Sequence, residues 1–176
     1  MNLKYLTAFA ATALMALAPA LHAKEASPIP QSSDAFTVYS EVDDWTVYAD
    51  ADTQTCLVER ADDLGNVMQM GVTTDHDYAY VGIFTLADVK IRKKEDIAIA
   101  VDGTIFLGES HGLKSKKLQG DYKGGYVLTN NPDMVTAIAE GSVLIAFPED
   151  PVAFVIDLTG TKKAIEEARK CNAEMN

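Results

Sequence analysis

The sequence has few of the residues from which most catalytic sites are built. Its 176 residues include three histidines, two cysteines and one tryptophan. No Cys-x-x-Cys pair is present, which argues against thiol–disulfide catalysis. So few histidines and cysteines also restrict metal centres and catalytic triads, which need several such side chains together. We predict a protein that is not an enzyme and that holds no cofactor and no metal.

The sequence also lacks an apolar run long enough to span a bilayer. Its N-terminal apolar run, from Leu6 to Ala18, carries no charge, follows Lys4 and is broken by Pro19. A positive start, a short apolar stretch and then small residues are typical of a secretory signal peptide. We predict cleavage after Ala23, with cleavage after Ala20 as the alternative.

Three segments follow from this interpretation. Residues 1–23 are the signal peptide, residues 24–34 are a flexible lead-in rich in proline and serine, and residues 35–176 form a single β-rich domain. No Cys follows the apolar run, which argues against a lipid anchor. We expect a periplasmic or secreted protein with no membrane span in the mature chain.

Acidic residues far outnumber basic ones. The chain has 26 Asp and Glu against 15 Lys and Arg, a net charge of −11, and removal of the signal peptide would make it one unit more negative. Such a charge opposes binding to nucleic acid or to anionic lipid. We therefore expect no nucleic-acid partner, and a protein or other envelope component as the binding partner.

Two basic runs stand out against this background. Their members are Lys90, Arg92, Lys93 and Lys94, and then Lys114, Lys116 and Lys117. They are a candidate ionic patch for an anionic polymer or a partner protein. The alternative, which we favour, is that they are edge-strand lysines that prevent sheets from pairing between molecules.

Two cysteines in an exported protein usually form a disulfide. Ala164, Ala168 and Cys171 share one face of a helical run, so Cys171 should point at the body of the protein. Cys56 shares a side with Val58 in an alternating, strand-like run. We predict a structural Cys56–Cys171 disulfide.

Short runs rich in Val, Ile, Tyr and Phe, separated by turn residues, indicate the fold. These runs are Phe36–Tyr39, Trp45–Tyr48, Thr55–Glu59, Val67–Val72, Tyr78–Thr85, Ile97–Val101, Thr104–Leu107, Gly125–Leu128, Val143–Phe147 and Val152–Leu158. The pattern predicts a mainly β protein, an antiparallel sandwich or barrel-like domain. Asp102-Gly103 between two runs predicts a type I′ hairpin.

Two helices are predicted among these strands. A short internal helix should begin with Asn131 as cap and Pro132 as its first residue, and should end at Gly141. A C-terminal helix should cover Lys162–Cys171, with Thr161 as its cap.

Gly108-Glu109-Ser110-His111-Gly112 fits the G-x-S-x-G pattern of serine hydrolases. In that pattern the serine lies on a strand-to-helix turn, with its acid and its histidine later in the chain. No histidine follows His111 here. A triad in the alternative chain order, with His76, Asp102 and Ser110, would require Asp102 as its acid, but Asp102 is already assigned to the hairpin turn. A small serine hydrolase is therefore the least favoured function.

For the remaining acidic and aromatic residues, we prefer a structural role in turns or in the core to a role in ligand binding. Asp75-His76-Asp77 could ligate a cation but reads as a polar turn, and Asp43-Asp44, Asp50/Asp52 and Asp62-Asp63 also fall where turns favour Asp. The aromatic residues Tyr39, Trp45, Tyr48, Tyr78, Tyr80 and Tyr126 could line a ligand groove, although such residues more often pack a core.

Parts of the chain resemble the invasion-associated locus B family of exported bacterial proteins. The resemblance is carried by Trp45-Thr46-Val47-Tyr48, Cys56, the run Phe154–Gly160, Ala164 and Cys171. It implies a periplasmic, sandwich-like accessory protein, linked in some pathogens to host-cell entry, and supplies no catalytic residues.

Three hypotheses for the function follow. The first is a non-catalytic accessory or binding protein of the periplasm or the medium. The second is an envelope inhibitor or immunity-type protein that blocks a cationic enzyme such as lysozyme, where opposite charge would speed association. The serine hydrolase is the third.

Overall fold

A computed structural model describes residues 36–88, 96–112, 118, 120–146 and 153–175. The predicted signal peptide and the lead-in lie outside this part of the chain. The strands are β1 Phe36–Val42, β2 Trp45–Asp50, β3 Thr55–Ala61, β4 Val67–Val72, β5 Ala79–Thr85, β6 Asp96–Val101, β7 Thr104–Gly112, β8 Lys123–Thr129, β9 Val143–Ala146 and β10 Phe154–Asp157. The helices are α1 Pro132–Glu140 and α2 Thr161–Met175.

All strand neighbours are antiparallel and form one continuous sheet in the order β1-β2-β3-β4-β5-β8-β7-β6-β9-β10. Within the described residues β1 and β10 do not pair, so the sheet is not a closed barrel. The predicted fold class, mainly β and sandwich-like with a short internal helix and a C-terminal helix, is confirmed. Each of the ten predicted runs overlaps one of the ten described strands.

The sheet folds over so that both of its ends line one core. Val47 from β2 and Ile156 from β10 belong to the same buried cluster, together with Ile99 from β6. We call the sheet face that lines this core the inner face and the opposite face the outer face. Helix α2 packs on β2 and β3 and contacts α1. Its buried residues include Ala164, Ala168 and Cys171, the face predicted from their spacing.

The predicted hairpin at Asp102-Gly103 is confirmed. Both residues have positive φ, 46° and 87°, as a type I′ turn requires. The Asp102 carboxylate also accepts hydrogen bonds from the backbone N–H groups of Ser142 (2.9 Å) and Val143 (3.0 Å). One turn residue thereby ties the β6–β7 hairpin to the beginning of β9.

The two helix starts differ from each other. Asn131 caps α1 as predicted, because its side chain accepts a hydrogen bond from Asp133 N at 2.9 Å. The prediction of Thr161 as cap of α2 was wrong. Gly160 turns the chain with φ 83°, so Thr161 is already the first helical residue. Its buried hydroxyl donates to Leu158 O at 2.6 Å instead of accepting from the helix.

The predicted disulfide is present between Cys56 on β3 and Cys171 on α2, with their Cα atoms 6.0 Å apart. This distance is within the usual range for a disulfide. Both cysteines are buried, with exposed fractions of 1% and 0%. The bond therefore fastens the C-terminal helix to β3, the third strand from one end of the sheet.

A cluster of hydrogen bonds and ion pairs joins β2 and β3, near one end of the sheet, to β10 and the residues after it, at the other end. Trp45 Nε1 donates to Thr159 O at 2.9 Å, and Arg60 donates to Asp157 O (2.9 Å) and to Thr159 O (3.1 Å). The Arg60 guanidinium also pairs with the Asp157 and Asp44 carboxylates and lies 5.9 Å from the Trp45 ring centre. Hydrogen bonds from Thr159 and the charge of Arg60 lower the pKa of Asp157. These contacts hold β2 and β3 against the segment between β10 and α2.

Candidate functional site

The outer face of the central strands carries aromatic rings that lie over glycines of the neighbouring strand. The directly opposed pairs are Gly71 with Tyr80, Gly82 with Tyr126, and Gly124 with Phe84. A Cβ at any of these glycines would overlap the ring of its partner. The missing side chains thus let the rings lie against the sheet, an arrangement in which an aromatic residue covers a strand glycine.

A buried polar chain fixes one of these rings. The Tyr126 hydroxyl donates to Gln69 Oε1 at 2.9 Å, and Gln69 Nε2 donates to the Glu59 carboxylate at 2.6 Å. Gln69 is fully buried and Glu59 is 6% exposed. Burial, and then the charge of Glu59, raise the pKa of Tyr126. Tyr126 therefore stays a neutral phenol in a fixed orientation.

Tyr80 differs from Tyr126 in its hydrogen bonding. Its ring packs edge-to-face against that of Tyr126, with centroids 5.0 Å apart. Burial is also the main cause that raises the pKa of Tyr80. Its hydroxyl has no hydrogen-bond partner among the described residues. A neutral phenol can both donate and accept, so Tyr80 offers an uncommitted polar group to a ligand.

Above these rings lies a cavity of about 510 Å³, which we call the outer groove. Its size is within the range of about 300–1,000 Å³ typical of small-molecule sites. Its apolar side is formed by Phe36, Leu57, Val72, Tyr80, Tyr126 and Leu128, and its polar side by Asp50, Asp52, Thr53, Thr55, Thr73, Thr74 and His111. The described lining contains two carboxylates and no lysine or arginine.

The acidic rim is held by its own turn. One oxygen of the Asp50 carboxylate accepts from Asp52 N at 2.9 Å, and the other accepts from the Thr53 hydroxyl at 2.8 Å. A carboxylate has about four lone-pair sites, so Asp50 retains acceptor capacity after these two bonds. Asp52 is exposed, and nothing in the described chain donates to its carboxylate. The rim therefore presents negative charge to the groove, with the Asp50 carboxylate buried and held in place and that of Asp52 exposed.

The Asp75-His76-Asp77 segment is the polar turn that we favoured, between β4 and β5. Asp75 Oδ1 accepts from the Thr73 hydroxyl (2.5 Å) and from Asp77 N (3.1 Å). These hydrogen bonds, that from Thr73 first, lower the pKa of Asp75. In the described ranges no three His, Cys, Asp or Glu side chains are close enough to hold a metal ion.

The Asp62-Asp63 pair also lies in a turn, between β3 and β4. Asp62 Oδ1 accepts from the backbone N–H groups of Leu64 and Asn66. The Asp43-Asp44 pair connects β1 to β2, and Asp43 has φ 52°. These acids therefore have the turn role that the sequence indicated.

Ser110 lies within β7 and pairs with Val127 of β8. The strand continues to Gly112, so Ser110 is not on the strand-to-helix turn that the G-x-S-x-G pattern of hydrolases requires. His111 pairs with Tyr126, is exposed and lines the outer groove. Sequence reasoning gave His111 no part in a binding site.

Both basic runs, Lys90–Lys94 and Lys114–Lys117, fall outside the described residues, so the candidate ionic patch stays a prediction. In the part of the chain that is described, no helix is long and apolar enough to cross a membrane. The chain matches no protein-family model, no curated protein and no solved structure in the comparisons made.

Proposed function

We propose that this chain is a non-catalytic binding protein, exported to the periplasm or the medium, and that the outer groove receives a cationic side chain of a partner protein. The observation that carries the proposal is the pairing of an aromatic floor with an acidic rim. Tyr80 and Tyr126 supply the floor, and Asp50 and Asp52 supply the charge.

A lysine or arginine side chain suits both the aromatic floor and the acidic rim of the outer groove. A cation over an aromatic ring gains about 0.5–2 kcal/mol, depending on how far it is desolvated. The rim carboxylates add charge-assisted hydrogen bonds, which are stronger than neutral ones. The free hydroxyl of Tyr80 can accept a further hydrogen bond from an ammonium or guanidinium group. The net charge of −11 favours cationic partners over longer distances as well.

Two further observations support export. The Cys56–Cys171 disulfide is a type of bond that persists in oxidising compartments. The N-terminal sequence has the layout of a signal peptide. The resemblance to the invasion-associated locus B family belongs to the same proposal, and would make this an accessory protein that contributes to contact with a host cell.

Two blocked tripeptide amides test the groove, Gly-Arg-Gly and Gly-Gln-Gly, with binding measured by calorimetry at low salt. We expect the arginine peptide to bind at least about tenfold more tightly, equivalent to about 1.4 kcal/mol, and its affinity to fall as salt is added. Asp52→Asn and Tyr80→Phe should each weaken it several-fold.

The matched control is Tyr78→Phe, because Tyr78 is 42% exposed and does not line the groove. This variant should bind the arginine peptide as the wild type does. Equal affinity for the two peptides, or equal loss in Tyr78→Phe and Tyr80→Phe, would contradict the proposal.

The acidic rim also favours a second candidate, an inhibitor that places this groove over a cationic enzyme such as lysozyme. We expect lysozyme activity to fall when the protein is added at low salt, and Asp52→Asn to relieve the inhibition. An unchanged rate of cell-wall lysis, with the wild-type protein in excess, would exclude lysozyme as the target and leave the first proposal standing.

A further inference from the structure

A second cavity lies on the inner side of the sheet, between the sheet and the two helices. Its volume is about 120 Å³, and the disulfide residue Cys56 forms part of its wall. We call it the helix pocket. Its lining is mainly apolar and includes Val58, Met70 and Val81 from the sheet, Ile138 from α1, and Ile165 and Ala168 from α2.

Most polar side chains at this pocket are already engaged. Asn172 accepts from Cys56 N and donates to Ala168 O, both at 2.9 Å. Thr129 accepts from Asn131 N at 3.0 Å. The charged residue in the lining is Arg169. It is exposed, and its guanidinium has no ion pair within the described chain.

The volume of the helix pocket and the positive charge of Arg169 together indicate which kind of ligand would fit. The helix pocket, at about 120 Å³, is somewhat smaller than a dry apolar cavity of about 150 Å³ that binds benzene, so it suits an apolar body of up to about six carbons. An arginine binds a carboxylate through two parallel hydrogen bonds. We propose that the helix pocket binds a small monocarboxylate with an apolar body, with the body among the core side chains and the carboxylate on Arg169.

The overall negative charge of the protein does not prevent this. At physiological salt, charges more than about 8 Å away are largely screened. Glu166 lies one helical turn before Arg169 and forms no ion pair with it in the described chain, so the guanidinium is available to an anion. The carboxylate stays at the solvent edge and remains hydrated on one side. The linings of the helix pocket and the outer groove share Val72 and Tyr80 and no other residue. The ligand of the helix pocket is anionic, so this site is distinct from the outer groove.

Three probes separate the contribution of the apolar body from that of the carboxylate. Benzoate has both an apolar ring and a carboxylate, benzyl alcohol has the ring without the carboxylate, and acetate has the carboxylate without the ring. In an NMR titration at pH 7 and 0.15 M salt, we expect benzoate to shift the amide signals of Val135, Ile138 and Ile165. It should bind about tenfold more tightly than benzyl alcohol, the effect of one charge-assisted contact of about 1.4 kcal/mol, and acetate should shift none of these signals.

Arg169→Gln should reduce the affinity for benzoate to that for benzyl alcohol and leave benzyl alcohol unaffected. Lys170→Gln is the matched control, since Lys170 is adjacent on the helix but pairs with Glu167. Val135→Phe, at a half-buried position of the lining, should weaken both ligands, with the melting temperature used to confirm folding. Equal binding of benzoate and benzyl alcohol, unchanged benzoate binding in Arg169→Gln, or signal shifts confined to other regions would overturn the assignment.

Discussion

Replacing Cys56 and Cys171 together with alanine is expected to lower the free energy of unfolding by about 4–5 kcal/mol. The bond spans 115 positions of the sequence, and a crosslink that closes so long a loop removes much of the conformational freedom of the unfolded chain. Typical domains are stable by about 5–15 kcal/mol, so the loss would be roughly a third or more of the total stability.

Urea unfolding followed by circular dichroism measures this change. Reductant should destabilise the wild type by a similar amount. It should have no effect on the double variant, which therefore controls for effects of the reductant other than cleavage of the disulfide. A loss below about 1 kcal/mol, well short of the chain-entropy value, would show that the disulfide does not stabilise the fold in the way described.

Trp45→Ala is expected to destabilise the protein by about 3–5 kcal/mol, the usual cost of removing a large buried aromatic side chain. Trp45 is 1% exposed and donates the hydrogen bond to Thr159 O. Its ring also covers Arg60. The substitution therefore removes core packing and one of the contacts that join the two ends of the sheet.

Calorimetry or circular dichroism should follow this variant, because Trp45 is the only tryptophan and fluorescence is lost with it. Trp45→Phe should cost less, since a ring remains and chiefly the hydrogen bond is removed. Tyr78→Ala is the control for removing an exposed aromatic residue and should change stability by no more than about 0.5 kcal/mol. A Trp45→Ala variant as stable as Tyr78→Ala would contradict the account of the core.

The strands could be predicted from the sequence because their signals are local. Alternating apolar residues bounded by turn residues mark a strand whatever its neighbours are. Asp102-Gly103 specifies its hairpin within two residues, and Asn131-Pro132 specifies a helix start. The disulfide was predictable because both cysteines lie on faces that the periodicity assigns to the core.

Long-range pairing was not predictable in the same way. The sheet order places β8 between β5 and β7, and β6 between β7 and β9, and no short sequence signal encodes these neighbours. The role of Arg60 depends on two carbonyl groups about a hundred positions away. Thr161 was misassigned because Thr next to a helix start is usually a cap, whereas the turn at Gly160 brings it one position into the helix.

The outer groove depends on strand register as well. Tyr80 and Tyr126 resembled core residues in the sequence, and both a groove and a core interpretation were open. Only the strand register shows that Tyr80 lies opposite Gly71 and Tyr126 opposite Gly82. These glycines leave room for both rings to lie against the sheet. Glycines within strand runs rich in aromatic residues were the one available signal, and its meaning required knowing which residues face each other.

The binding position of the arginine tripeptide tests the central claim most directly. Amide signals should be followed by NMR during a titration with the blocked Gly-Arg-Gly amide at low salt. We predict that the shifts concentrate at Asp50–Thr55, Thr73–Thr74 and Tyr80, and that Asp52→Asn needs several-fold more peptide to reach the same shifts. Shifts spread over other acidic turns, such as Asp62–Asp63, and an unchanged affinity in Asp52→Asn would show that the peptide senses only the net charge, and would contradict the outer groove as the binding site.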